Sequence, residues 1–517
     1  MSLYRKFERK DLERGQALVL IALAFVGIAA FVGLTVDAGI LFSNVGHLRR
    51  ATDAASLAAA NQFREGRTPG ELSAMAFEYL ELNGLSPSGV VAKICDLGSP
   101  GSTYDDPSLC PGGTNPPTGS DAPRKYVLVE AQLPVNFAFL PIIGWKSTII
   151  GAESISEAAS VDLILVLDVS PSMTEDLCND GLDNDSDGTP DDCGAGTVGP
   201  DPESDVLTCR AATLDENKCH PFEEVRDAAK RLVDRMYFPY DRISIVTFGR
   251  EASVALELQD TDLPAPCGTS PVPDPYTCAQ SVLDGLEVEL EPDPAVHCID
   301  WEPDPSGCLS TNIGDGLMFA GGRFCLDDII LNGDCDRIEM REEAVWIAIV
   351  LSDGAANAAV LTNPPTLPSH WLCPDTTWAA KPYCRDDSAS SRHAFGTAEF
   401  DTDDHARDMA DFVGCPSETL PQPPGCSAAA PGGQGAVIFS IGLGDKVINN
   451  IAGDPDAGEQ LLRYLAAVGD DSDPDTDPCS SVAIGTSCGN YYFSPTGSGL
   501  LQVFEAIASR IFTRITH

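Results

Sequence analysis

Basic residues are scarce. The 517-residue chain holds 32 Lys and Arg against 78 Asp and Glu, a formal net charge of -46. So few cations cannot form a stripe along a phosphate backbone, which excludes nucleic acid as a partner. Histidine is nearly as thin: seven residues, scattered, with no HExxH pair. There is no Walker phosphate loop and no CxxC spacing. Zinc-protease, nucleotide-cradling and zinc-ribbon chemistry therefore lack their ligands. The expectation is a protein that is not an enzyme.

What is present is apolar, acidic and rich in cysteine. Hydrophobic residues make up 43% of the chain, enough for a packed core rather than a disordered tail. The length allows two or three domains. The acid excess has two readings: solubility, or Asp clusters that hold hard cations such as Ca²⁺ or Mg²⁺. Eighteen cysteines, paired as consecutive neighbours from Cys95–Cys110 to Cys479–Cys488, sit 9 to 15 residues apart. In Pro-, Gly- and Asp-rich stretches such pairs read as loop-stapling disulfides, which need an oxidising compartment. Scattered buried thiols are the other reading.

Residues 1–15 carry Arg5, Lys6, Arg9, Lys10 and Arg14, and an apolar run follows from Gln16 to Val36 with no charge until Asp37. That length matches a hydrocarbon core. The basic flank would keep residues 1–15 in the cytoplasm and the rest outside, in a single-pass cell-membrane arrangement. A cleaved secretory signal is the competing reading. Residues 37–65 continue as an Ala-rich helix whose small side chains would let a second helix approach. The segment from Arg14 to about residue 65 resembles the N-terminus of TadE/TadG-like Flp pilus-assembly proteins. Its Arg14-Gly15-Gln16 start, the VDAG after the apolar run and the ATDAASLAAA block carry that resemblance. It implies pilus-assembly proteins as partners. Some such relatives are processed after a Gly; Gly15 is present here, but Leu20 stands where an acidic residue would mark the cut. Residues 66–160 read as a small β-rich module, with KYVLVEAQLPVNFAFL alternating and IIGWKSTIIGAESISEAA a further strand-like run.

From residue 161 to 517 strands alternate with helices: VDLILVLDV, RISIVTFG, AVWIAIVLSDG and GAVIFSIGLG among amphipathic stretches. Repeated βα units predict an α/β fold, a doubly wound and mostly parallel sheet between helix layers. Such sheets bind ligands at the C-terminal ends of their strands. There the sequence puts Asp168, Ser170 and Ser172 after the first strand, Thr311 in a helix-entering loop, and Asp353 after a second buried strand. Two carboxylates and three hydroxyls make an oxygen-only set suited to Mg²⁺, Mn²⁺ or Ca²⁺. The set resembles the metal-ion-dependent adhesion site of von Willebrand factor A (VWA) domains, with DxSxS on Asp168, Ser170 and Ser172. The resemblance implies that a protein partner completes the metal's shell with an acidic oxygen. It implies cell adhesion, linked to tight-adherence pili or surface attachment. The alternative is a structural or assembly component in which the metal stabilises the fold.

Between the first strand and first helix lies CNDGLDNDSDGTPDDC. Asp183, Asp185, Asp187 and Asp191 follow the spacing of a calcium loop up to its ninth position, but Gly194 stands where the bidentate Glu would be. The segment resembles Asp-rich calcium loops of thrombospondin type 3 repeats and dockerins, and implies a structural Ca²⁺; a soluble acidic loop is the other reading. Further insertions near 260–308, 323–336, 361–400 and 415–433 are expected to crown the same face and set partner choice, or to be decoration.

Overall fold

A computed structural model describes residues 13–63, 68–95, 106, 109, 125–174, 219–238, 240–249, 251–258, 274–289, 311–324, 344–356, 402–415, 435–444, 446–449, 457–471 and 478–514. The chain divides into two compact units, residues 1–118 with 124–158, and residues 119–123 with 159–517.

The first unit is built on helix α1 (Glu13–Phe63). At 1.5 Å per residue its apolar segment to Val36 is about 30 Å long. This helix is long and apolar enough to cross a membrane, a test that a signal sequence near an N-terminus also passes. Beyond Asp37 one face turns inward: Leu48, Ala51, Thr52, Ala55, Ser56, Ala59 and Phe63 are buried at helical spacing. Helix α2 (Pro69–Leu82) starts on a capping box in which Thr68 and Glu71 satisfy each other's backbone N–H, with Pro69 in the first turn. Strands β1 (Gly89–Ile94), β2 (Lys125–Asn136) and β3 (Ser147–Ala158) form an antiparallel sheet in that order. Val127, Val129, Ala131, Leu133 and Val135 alternate inward from β2. The small residues of α1 serve approach to this sheet and to α2: Ser56 Oγ lies 3.1 Å from Ser154 Oγ and 2.7 Å from Ser156 Oγ. Two features differ from the sequence reading. The region 66–160 includes a helix, and the run expected to be a strand from Ile142 begins as a 3₁₀ turn (Leu140–Ile143), with β3 starting at Ser147.

The second unit is a six-stranded sheet of order β6-β5-β4-β7-β8-β9. Its strands are β4 (Val161–Asp168), β5 (Arg242–Phe248), β6 (Ala252–Leu256), β7 (Val345–Ser352), β8 (Val437–Leu443) and β9 (Tyr491–Ser494). All neighbours pair in parallel except the β5–β6 hairpin at one edge. Helices cover both faces, as a sheet of near-continuous apolar strands requires. On one face Leu163, Leu165 and Leu167 meet α3 (Phe222–Val233), α4 (Pro275–Asp284) and α9 (Gly497–Arg514). On the other, Ile164 and Val166 meet α5 (Ile313–Phe324), α6 (Thr402–Gly414) and α8 (Ala457–Asp471); a short α7 (Lys446–Asn449) lies between β8 and α8.

Buried polar pairs and one close glycine contact hold the sheet to its surroundings. At the N-terminal end of the sheet, Arg242 Nε and Nη2 donate to Asp162 Oδ1 (2.9 Å) and Oδ2 (2.7 Å), both residues buried. Asp241 accepts from the Val161 N–H at 3.0 Å. Gly469 lets α8 touch the sheet, since a Cβ there would stand 2.2 Å from the Ile438 backbone nitrogen. Cysteines 479 and 488 are joined as a neighbouring pair, and Cys95, Cys219, Cys278 and Cys415 are also disulfide-bonded. Within the insertion expected at 260–308, α4 starts on Asp274, whose side chain accepts from the Thr277 N–H. The insertion expected at 361–400, that at 323–336 beyond Phe324 and that at 415–433 beyond Cys415 lie outside the described residues.

Candidate functional site

In the order of the second sheet, β4 and β7 are the central neighbours. The crossover from β4 carries α3 on one face, and that from β7 carries α6 on the other. The chain thus leaves the two strands in opposite directions, which opens a crevice at their C-terminal ends. Asp168 is the last residue of β4 and Ser352 the last of β7.

The side chains at this crevice form a connected set. The Ser170 N–H donates to Asp168 Oδ1 at 2.9 Å. Ser352 Oγ donates to Asp168 Oδ2 at 2.7 Å. The hydroxyls of Ser170 and Ser172 are 2.8 Å apart, and Ser172 Oγ donates to Asp353 Oδ1 at 2.9 Å. A 3₁₀ turn (Pro171–Thr174) right after Ser170 folds Ser172 back over the strand end. Four of the five predicted residues are therefore joined by direct hydrogen bonds across 181 residues of sequence.

Thr311 is reached through the backbone. The Val169 N–H donates to the Phe248 carbonyl at 2.8 Å, and the Asn312 N–H donates to the Gly249 carbonyl at 2.8 Å. Thr311 thus sits at the same sheet edge, one strand over from Asp168, and is buried. Its loop is braced by groups the sequence reading passed over. Asn312 caps α5: its Oδ1 accepts from the Asp315 N–H at 3.1 Å and its Nδ2 donates to Asp315 Oδ2 at 2.8 Å. Asp315 Oδ1 lies 2.9 Å from His405 Nε2 on α6, so a buried pair ties the loop to the next helix. Asn at the helix start with an acid three residues on was a readable capping signal. The His405 contact had none, because 90 residues intervene.

Every group in the five-residue set offers oxygen. Asp168 and Ser170 are fully buried and Asp353 is 5% exposed. Burial first, and the Asp353 charge second, push the Asp168 carboxyl well above its ordinary range, against hydrogen bonds from Ser170 and Ser352 that lower it. Two carboxylates held this close and this dry gain from a cation between them. Among the described residues no three His, Cys, Asp or Glu side chains group for a metal. With just two carboxylates in the set, hydroxyls must complete any shell, a donor chemistry that fits a hard divalent ion and not a soft one. Asp183, Asp185, Asp187 and Asp191 lie outside the described residues.

One segment formally carries a nucleophile pattern: Gly485-Thr486-Ser487-Cys488-Gly489 reads GxSxG. It lies in the disulfide-closed loop before β9, not between a strand and a helix, and Ser487 Oγ accepts from the Phe493 N–H at 3.0 Å. The context that pattern needs for catalysis is missing.

No protein-family model and no curated protein matches the chain. Solved structures similar to it include proximal thread matrix protein 1 from the mussel byssus. That likeness has 13% identity over 69% of this chain and 47% of that one, with a TM-score of 0.29. The vWF domain of the type V pili tip protein Mfa5 from Porphyromonas gingivalis is 12% identical over 70% of this chain and 97% of that one, with a TM-score of 0.33. A variant of the PilB minor pilin from Streptococcus sanguinis is 11% identical over 77% of each chain, with a TM-score of 0.34. The chain spans about half the length of the mussel protein. At these scores the likeness carries no argument about the site.

Proposed function

We propose that this chain is a membrane-anchored, extracytoplasmic binding protein that captures an acidic group of a protein partner through a divalent cation. The cation is held by Asp168, Ser170, Ser172, Thr311 and Asp353, and the work is adhesive rather than enzymatic. The observation that carries this reading is the hydrogen-bonded run from Ser170 through Ser172 to Asp353, with Ser352 on Asp168, at the crevice of the sheet.

The residues have separable tasks. Asp168 is held in place by Ser352 and by the Ser170 N–H. Ser170, Ser172 and Thr311 supply neutral oxygens, so the protein contributes few negative charges. A bound Mg²⁺ or Mn²⁺ would supply a centre that keeps net positive charge and accepts one more oxygen, for which an external carboxylate is the strongest donor. Asp183, Asp185, Asp187 and Asp191 would hold a structural Ca²⁺ that quenches repulsion in their own loop. α1 would act as the single-pass anchor, and its resemblance to TadE/TadG-like proteins links the chain to tight-adherence pilus assembly or surface attachment.

The near-complete burial of the set favours a second reading, in which the ion stabilises the fold alone. Beads carrying an Asp- and Glu-containing peptide separate the two. The adhesive reading expects retention of the chain in Mg²⁺ and its loss in EDTA, in Asp168→Ala and in Ser170→Ala. Calorimetric Mg²⁺ binding without retention would favour the stabilising role. Equal retention in EDTA would refute the mechanism.

A further inference from the structure

The β2–β3 hairpin of the first unit ends in a tip that water should disfavour. From Phe137 to Trp145 the sequence is FAFLPIIGW, with no charged side chain. The 3₁₀ turn Leu140–Ile143 closes on Gly144, whose φ of +97° only glycine adopts readily. Ile142 is 83% exposed, Ile143 77%, Trp145 60% and Phe139 44%. Hairpin turns are normally polar, and a contiguous apolar patch of this kind marks a contact surface.

What borders the tip identifies the contact. Phe139 packs on α1 at Gly33, where a Cβ would lie 3.0 Å from the Phe139 Cβ. One turn further along α1, Asp37 accepts the backbone N–H groups of Ala138 (2.6 Å), Phe139 (3.0 Å) and Leu140 (2.7 Å). The tip is therefore continuous with the apolar flank of α1, where Phe31, Val32, Leu34 and Val36 are also exposed. Gly33 and Asp37 bracket the end of the ~20-residue apolar segment, the level at which a spanning helix leaves the hydrocarbon. At that depth backbone N–H groups find little water and must be satisfied inside the protein, which Asp37 does for three in succession. Trp145 followed by Lys146 is the residue order that lipid interfaces favour.

We infer that Phe139, Ile142, Ile143 and Trp145 insert into the interfacial layer of the outer leaflet, a second membrane contact that holds the sheet of this unit to the bilayer beside its anchor. This rests on the reading of α1 as a retained span. The test uses the full chain in lipid nanodiscs with bromine placed near the acyl carbonyls or near the chain ends. Wild type minus Trp145→Phe isolates the Trp145 emission. Phe25→Trp in the Trp145→Phe background places a reporter indole in the anchor. Insertion expects blue-shifted Trp145 emission, quenched more by shallow bromine than by deep, with the anchor reporter quenched by deep bromine. Unquenched Trp145 beside a quenched anchor reporter overturns the inference and leaves the anchor standing. Trp145 emission that is blue-shifted yet unquenched means that protein covers the tip, and overturns it equally. If neither is quenched, the anchor fails and the tip contact fails with it.

Discussion

Mg²⁺ should raise the melting temperature of the metal-free chain by about 4–6 °C, and Asp353→Ala should abolish the rise. An ion that binds the folded state alone stabilises it by RT ln(1 + [L]/Kd), about 2.7 kcal/mol at a hundredfold excess over Kd. Melting entropy runs near 2.1 cal/mol/K per residue, so a cooperative unit of roughly 200 to 360 residues shifts by that many degrees. The variant has a second signature. Ser172 loses its acceptor, but Asp168 loses the like charge that pushes its carboxyl up. The metal-free Asp353→Ala protein should therefore melt close to metal-free wild type or above it, although a buried polar residue has been removed. Differential scanning fluorimetry after chelation, with Mg²⁺ titrated back, reads both effects. Asp185→Ala with Asp187→Ala serves as the control and should keep the Mg²⁺ response while losing any Ca²⁺ response of its own loop. The same rise in Asp353→Ala as in wild type, or no rise in wild type at millimolar Mg²⁺, would refute the assignment.

Three further outcomes follow from the packing. Arg242→Met should cost about 3–5 kcal/mol in urea unfolding, because it removes the guanidinium that the buried Asp162 carboxylate faces; adding Asp162→Leu should recover most of the loss. Gly469→Ala should cost more than the ~1–3 kcal/mol of ordinary overpacking, since the clash is with the Ile438 backbone, and circular-dichroism melts would show it. Burial and the neighbouring Asp411 and Asp404 push Asp408 up to about 8 from an ordinary value near 3.8. The folded state then binds more protons than the unfolded state across that window, so stability must fall as pH rises from about 4 to 8, by at most ~1.4 kcal/mol per unit for this group. Asp408→Asn should flatten the decline and raise the melting point at pH 8; an unchanged profile would show that Asp408 does not titrate in that window.

The parts of this molecule that were readable from sequence are those whose signal is short-range. VDLILVLDV announces a strand buried on both faces because the five residues from Leu163 to Leu167 are apolar without alternation, and Leu163, Leu165 and Leu167 do turn to one helix layer while Ile164 and Val166 turn to the other. Once such strands are placed, the rule that ligands sit at their C-terminal ends picks out Asp168 and Asp353 without further help. Ser352 was visible as a hydroxyl closing an apolar run, but its task depends on Asp168, 184 residues away, and no local pattern records that bond. The same holds for the Asp315–His405 brace.

The two misread elements of the first unit have a different cause. In α2, the Thr68–Glu71 capping box and Pro69 were local and legible, yet the alternation of the following strands drew the whole region into a β reading. In the hairpin tip, the β-branched pair Ile142 and Ile143 mimicked a strand, although Pro141 and Gly144 on either side break one. Apolar residues between such breakers have no sheet to bury them. Ile142 and Ile143, with Phe139 and Trp145 beside them, stay exposed, and the tip they form is joined to the apolar flank of α1 by Gly33 and Asp37; on the interfacial contact proposed above, lipid would be their cover. A strand pattern that the turn chemistry contradicts is thus better read as a statement about the surroundings of the chain than about its secondary structure.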